Sequence, residues 1–349
     1  MQSWAWQSDV SADLDFYQPS VELILNAQQL DGSILCDPEE KLDVWDMVEA
    51  AMGLAVAGEI EASQKAYQWL AEQQLEDGSF WSAYQSGRPI CERREPHHAG
   101  YLAVGLWHLR QVTGDDVWWR QYWPHAVRAL DFVLSVQTPE GDIAWAVDAD
   151  GRPKDDALLT ACSNLCKSLE CGIAGEQLLG RVRPDWQRAL DRLRTAIRYK
   201  PWRFDRHWES KERYSMDWFY PILCGLYTGP EGMHRLQKRW HAFVQPELGC
   251  RCVSDSPWVT VAESSELVMT LCGLGQYELA AKIFGWLHQH RDDTGCYWMG
   301  YVWPDRVFWP EERPSWTAGA VLLAADGLYQ WTAAAHVLMR PVQVNRMSG

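Results

Sequence analysis

Two carboxylates stand where apolar helices should begin, each with a tryptophan close by. Asp46 lies in Val44-Trp-Asp-Met-Val-Glu49, and Glu263 lies in Trp258-Val-Thr-Val-Ala-Glu-Ser-Ser-Glu266. An acid in the first turn of a helix is favoured by the macrodipole whatever the protein does. What raises this pair above simple capping is the neighbouring indoles and the expected position of both helix starts on one loop-rich side. Two carboxyls facing one cleft can hydrolyse a glycosidic bond. One, protonated, assists the leaving group, while the other, ionised, activates water or attacks carbon. A separation of about 6.5–9.5 Å implies inversion and about 5–5.5 Å retention. Glu263, in an apolar stretch, suits the acid; Asp46, beside polar Asp43, suits the base.

Other residues could bind a sugar around that pair. Asp217, in Ser215-Met-Asp-Trp-Phe-Tyr220, begins a further helix. It could replace either partner, bind a hydroxyl, or cap the helix. Trp45, Trp258, Trp309 and Trp316 offer stacking faces. Asp43, Asp217, Tyr220, Arg251 and Glu312 offer hydroxyl contacts. Arg251 could instead strengthen a neighbouring acid or pair with Asp255, and Glu312 could sit in a salt-bridged cap. His97-His98 has no evident third ligand, so loop hydrogen bonding is expected rather than zinc. Cys250-Arg-Cys252 lacks metal-site spacing, and Asp148-Ala-Asp-Gly151 reads as a turn. The expected chemistry uses neither metal nor cofactor.

What positions these groups is a repeat. Gln28-Gln-Leu-Asp-Gly32, Gln73-Gln-Leu-Glu-Asp-Gly78, Gln137-Thr-Pro-Glu-Gly141, Gln245-Pro-Glu-Leu-Gly249 and Gln289-His-Arg-Asp-Asp-Thr-Gly295 each follow a helix-like stretch. Their glycines are 46, 63, 108 and 46 residues apart, and the longest gap holds a degenerate copy at Arg198-Tyr-Lys-Pro-Trp202. Such spacing marks supersecondary units that cannot bury their apolar faces alone. Six segments rich in small and apolar residues alternate with six amphipathic ones, the pattern of inner and outer helices. The inner set includes Glu49–Leu54, Ala99–Leu106, Ala157–Leu165, Trp218–Gly225, Glu266–Gly273 and Thr317–Ala325. The reading is an all-α fold, an (α/α)6 barrel of six helical hairpins in a closed double ring, spanning residues 1–349 as one domain. Inner-to-outer links are short. The six outer-to-inner links are long, as functional loops are, and they would crowd one rim with aromatic and acidic residues. The carboxylate-bearing helices, first and fifth of the inner set, would not be neighbours, so inversion is favoured.

Composition narrows the classes. The chain is 47% hydrophobic with a formal charge of −15, which supplies a large core and disfavours nucleic acid and anionic lipid surfaces. No apolar run reaches membrane-spanning length, and the first residues lack a secretory pattern. Ten scattered cysteines are then expected as buried thiols in the cytoplasm.

The repeat Lys65-Ala-Tyr-Gln-Trp-Leu-Ala-Glu-Gln-Gln-Leu-Glu-Asp-Gly-Ser-Phe-Trp81 is similar to the QW repeat of squalene-cyclase and protein-prenyltransferase barrels. Their chemical motifs are missing: no Asp-x-Asp-Asp acid, no Asp-Asp-x-x-Asp and no Asp-x-Cys. A closer resemblance rests on Ser215-Met-Asp-Trp-Phe-Tyr-Pro-Ile-Leu, Gly249-Cys-Arg-Cys-Val-Ser-Asp-Ser-Pro-Trp-Val-Thr-Val-Ala-Glu263 and Trp309-Pro-Glu-Glu-Arg-Pro-Ser-Trp-Thr-Ala-Gly-Ala. These strings resemble a bacterial group often labelled prenyltransferase that includes the methylmannose polysaccharide hydrolases, endo-acting α-mannosidases. The resemblance implies an acid/base pair at Asp46 and Glu263. The expectation is a metal-independent glycoside hydrolase acting on an α-linked oligo- or polysaccharide. A terpenoid cyclase would instead need a dry aromatic pit, a sugar-binding protein a cleft without a correctly spaced pair, and a sugar epimerase histidines inside the pit.

Overall fold

The computed structural model describes residues 10–36 and 41–342. Twelve α-helices lie among them: α1 (Gln18–Ala27), α2 (Val44–Val56), α3 (Ile60–Gln73), α4 (Pro96–Thr113), α5 (Asp116–Ser135), α6 (Leu159–Leu178), α7 (Pro184–Tyr199), α8 (Ser215–Leu223), α9 (Gly229–Phe243), α10 (Val261–Gly273), α11 (Tyr277–Leu287) and α12 (Ser315–Tyr329). The even-numbered helices form the inner ring. Each packs on the next, and α12 packs on α2 to close it. The odd-numbered helices surround them, with α1 packed against both α12 and α2.

Small residues allow the closure. A Cβ on Gly53 of α2 would lie 2.8 Å from the Cα of Gly319 in α12, and one on Gly319 would meet the Glu49 carbonyl at 2.8 Å. Backbone therefore packs on backbone, and Ala50, Ala51, Ala320 and Ala324 complete a fully buried seam. The outer helices alternate apolar and charged faces, so one stripe is buried and the other meets water.

The repeat proves to be a set of stitches between successive outer helices. The Gln28 side chain donates to Gly32 O (3.1 Å) and to Ala62 O of α3 (2.9 Å). Gln74 does the same to Gly78 O and His125 O of α5, and Gln137 to Gly141 O and Ala189 O of α7. At the ring closure an arginine replaces the amide: Arg291 donates to Gly295 O and to Phe16 O, just before α1. The degenerate copy also bridges, with Arg198 paired to Glu231 of α9 at 2.7 Å. The Gln245 copy differs, because Gln245 lies in a strand and accepts from Arg251.

The long links all run from an outer to an inner helix, as expected, but two groups of them are more than loops. Strands β1 (Lys41–Leu42), β2 (Ala83–Gln85) and β3 (Arg88–Cys91) form one antiparallel sheet joining the first two links. Strands β4 (Val244–Gln245), β5 (Gly249–Arg251), β6 (Trp258–Thr260), β7 (Gly300–Val302) and β8 (Val307–Phe308) form a second, joining the links before α10 and α12. These strands are two to four residues long, too short to announce themselves by alternation. Among the described residues no helix is long and apolar enough to cross a membrane, and all ten cysteines are unpaired.

The stitch glycines make a sharp prediction. Gly78 has φ +90°, and its Cβ would lie 2.2 Å from Arg128 O, whereas Gly114 (φ +66°) has open space around it. Gly114→Ala should cost about 1–2 kcal/mol from backbone strain alone. Gly78→Ala should cost at least ~1–3 kcal/mol more, since the neighbouring helix must move. Denaturant unfolding of both variants checks the difference.

Candidate active site

Side chains from α2, α4, α8 and α10 meet at the barrel axis. Trp45 of α2 reaches across to Tyr220 of α8, the ring centroids 5.7 Å apart, and packs on Tyr101 of α4 at 4.7 Å. Because α2 and α8 stand opposite in a six-membered ring, this contact crosses the pit. Burial pushes both tyrosine hydroxyls well above their ordinary range, with nearby carboxylates adding to the effect.

Around this aromatic floor stand four acids on two helices. Asp46 and Glu49 are three residues apart on α2, and Glu263 and Glu266 three apart on α10, so each pair shares a helix face. The two helices are separated in the ring by α12. Asp46 is half-buried, whereas Glu49, Glu263 and Glu266 are buried. Burial, and then repulsion from Glu263, pushes Glu49 up to about 8. Burial followed by repulsion from Glu49 and Glu263 puts Glu266 well above the carboxylate range. Both deeper acids are thus biased towards the protonated form. One Glu263 oxygen, Oε2, is buried without a hydrogen-bond partner.

Local structure fixes both outer acids. The Asp43 carboxylate accepts the Asp46 N–H at 2.9 Å and so caps α2. Asp43, expected to contact substrate, is thus engaged in capping, and burial raises it to about 6. Strand β6 runs straight into α10, where Cys250 N–H of β5 donates to Ser264 Oγ (2.7 Å) and Val261 N–H donates to Met299 O (3.0 Å). The second sheet therefore sets the first turn that carries Glu263. Each outer acid also has a thiol beside it, Cys36 for Asp46 and Cys252 for Glu263, and burial keeps both thiols protonated.

The remaining expected residues are distributed differently. Trp258 donates its indole N–H to Trp309 O (2.7 Å), and the two rings meet edge to face at 5.2 Å. Trp309 is 56% exposed, on the rim. Trp316, in the first turn of α12, is half-buried against the core. Glu312 is half-buried and its carbonyl accepts Met299 N–H, while the adjacent Arg313 pairs with Asp292. Arg251 donates to Ser254 O and Gln245 Oε1 and lies over Trp303. Asp255 is taken by Arg213 instead, at 2.9 Å. Asp217 accepts from Thr160 at 2.7 Å and borders a separate cavity of about 520 Å³ with Asp205 and Arg235. Burial raises it to about 6.

Two features escaped the sequence reading. Glu49 and Glu266 were visible as i, i+3 echoes of Asp46 and Glu263, a helical spacing that marks a shared face. Glu95 stands in the same short string, Glu95-Pro-His-His98, and its Oε2 lies 3.4 and 3.8 Å from the two Nε2 atoms. Burial holds the His97 imidazole down at about 3 and lowers His98. His97 also touches Trp45, ring centroids 5.5 Å apart, so this cluster adjoins the pit.

No family model matches the chain. Its fold is that of solved sugar-active barrels. It superposes on a wild-type glycosidase with a TM-score of 0.73 at 14% identity, covering 93% of this chain and 99% of that one. A D-mannose isomerase gives 0.69 at 10% identity, covering 94% and 100%. In sequence, it is 38% identical over 313 residues to the MMP endo-(1,4)-3-O-methyl-alpha-D-mannosidase of Mycolicibacterium hassiacum, covering 90% of this chain and 86% of that one. Fold and relative together define a glycoside hydrolase of the (α/α)6-barrel class. Within that class the chain belongs to the family of the M. hassiacum enzyme.

The deeper acids predict a pH effect on stability. Glu49 ordinarily titrates near 4.5 and here near 8, so between those values the folded state binds the extra proton and stability falls as pH rises. Glu49→Gln should match wild type near pH 5 and be about 1–3 kcal/mol more stable near pH 9, where wild type carries a buried charge. Thermal melts at the two pH values check this.

Proposed function

We propose that this protein cleaves internal α-mannosidic linkages of a polysaccharide carrying O-methyl groups, with inversion at the anomeric carbon. Glu263 is the general acid and Asp46 the general base. The observation that carries the reading is the placement of these two carboxylates on inner helices separated by α12, each backed one turn deeper by a buried acid. Glu263 is held in the first turn of α10 by the second sheet, beside the Cys252 thiol, where a carboxyl can act as proton donor to the glycosidic oxygen. Asp46, half-buried and held at a capped helix start, can take a proton from water on the opposite face of the sugar.

The surroundings support the substrate class. Trp45, Tyr101 and Tyr220 form an apolar floor, which suits methylated sugar faces. Trp309, exposed on the rim beside Trp258, offers a platform for sugars away from the cleavage point, as endo-action requires. The relative's own name is that of an endo-acting 3-O-methyl-α-D-mannosidase. A terpenoid cyclase needs a dry aromatic pit, and four acids in this one count against it. The ten free thiols support a reducing compartment such as the cytoplasm.

Wild type, Asp46→Asn and Glu263→Gln should be incubated with natural and O-methylated α-mannan oligosaccharides and with α-glucans, read by mass spectrometry and anomeric NMR. Wild type should cleave internal methylated mannosides and release first the anomer opposite to the substrate's. Each variant should lose about 10²–10⁴-fold in rate. Cleavage by either variant at the wild-type rate would move the machinery elsewhere, a retained first anomer would overturn inversion, and preference for the glucans would overturn the mannoside.

A further inference from the structure

We infer that Glu95, His97 and His98 form a binding site for a single zinc ion at the wall of the pit, independent of the acid/base reading above. The three donor atoms lie within 4.8 Å of one another. His97 Nε2 is 3.4 Å and His98 Nε2 3.8 Å from the same carboxylate oxygen, Glu95 Oε2. Both separations are long for a charge-assisted hydrogen bond, which runs about 2.7–2.9 Å. The shorter matches the spacing of neighbouring ligands around a tetrahedral zinc, about 3.3 Å for bonds of about 2.0–2.1 Å, and the wider separations would close by side-chain rotation when an ion binds.

The rest of the environment fits an ion. The other oxygen of Glu95, Oε1, accepts from Arg93 Nε (3.0 Å) and Nη2 (2.6 Å), which turns Oε2 towards the histidines. A ligand carboxylate is commonly aimed in this way by an outer partner. The Nε2 atoms of half-buried His97 and buried His98 both face Oε2, so one ion between the three atoms would meet all of them.

The backbone there is also rigid. Ser82 N–H donates to Arg93 O (2.7 Å), Arg94 and Val147 exchange N–H···O bonds at 2.9 and 2.8 Å, and Pro96 opens α4. Two imidazoles and one carboxylate select zinc over magnesium or calcium, which prefer oxygen donors. Three protein ligands leave a fourth position for water or a sugar hydroxyl. The ring of His97 against Trp45 puts that position at the substrate's edge.

The test uses the full chain without an affinity tag, stripped with chelator and titrated with zinc by calorimetry and with cobalt by visible absorption. Wild type should bind one ion per chain with a tetrahedral cobalt spectrum lacking thiolate bands. Glu95→Gln and His98→Ala should each weaken binding by at least about tenfold. His290→Ala, which alters a buried histidine elsewhere, should bind as wild type does. The isosteric Glu95→Gln keeps the comparison sound should removal of an imidazole unfold the protein. No stoichiometric binding by wild type, or equal binding by wild type and Glu95→Gln, would overturn the site.

Discussion

The backbone-to-backbone contact between α2 and α12 is the constraint on which the site depends. Only with hydrogen in place of Cβ at Gly53 and Gly319 can these helices approach as they do. That approach closes the inner ring and sets α2 and α10 on either side of α12. With a larger residue at either glycine, the ring would open and the Glu49 turn, whose carbonyl touches Gly319, would shift. The chemistry at the axis is thus tied to a contact in which no charged side chain takes part.

Closing the ring forces several acids into one poorly solvated space. Four carboxylates there cannot all be ionised cheaply, because each charge loses water and meets its neighbours' repulsion. The structure resolves this by depth. Burial and mutual repulsion push Glu49 and Glu266 towards the protonated form, while Asp46 keeps partial access to solvent at the helix start. The aromatic floor of Trp45, Tyr101 and Tyr220 and the protonated thiols of Cys36 and Cys252 lower the local dielectric further. An environment of this kind separates the protonation states of neighbouring acids, which acid/base hydrolysis requires.

The links between outer and inner helices do more than surround the pit. The five-stranded sheet runs into α10 and fixes the turn carrying Glu263, while the three-stranded sheet and its sequel lead into α4, where Glu95, His97 and His98 converge. On the outside, glutamine and arginine side chains tie successive outer helices together, except at the Gln245 copy, where the amide lies in a strand. Their paired acceptors, one carbonyl in the turn and one on the neighbouring helix, explain why glutamine followed by glycine recurs. The amide must reach two carbonyls, and the glycine must lie against a helix backbone.

The chain's own pattern determined the barrel, because helical periodicity, small-residue inner segments and recurring glutamine–glycine turns are local properties written along the sequence. It also marked Asp46 and Glu263 as candidates, since an acid at a helix start beside tryptophan is a short-range signal. The roles of Arg251, Asp217 and Asp43 were not legible in this way. Whether Arg251 meets Asp255 or Trp303, and whether Asp217 faces the acids or a side cavity, depends on the direction in which each loop returns. The strands were too short to show alternation, whereas Glu95 lies two residues before His97 in the chain, and packing decided only the orientation of these side chains. Sequence specifies which faces are apolar and where turns fall. Only tertiary packing decides which charges share a space, and because their protonation depends on that sharing, only the folded ring decides their chemistry.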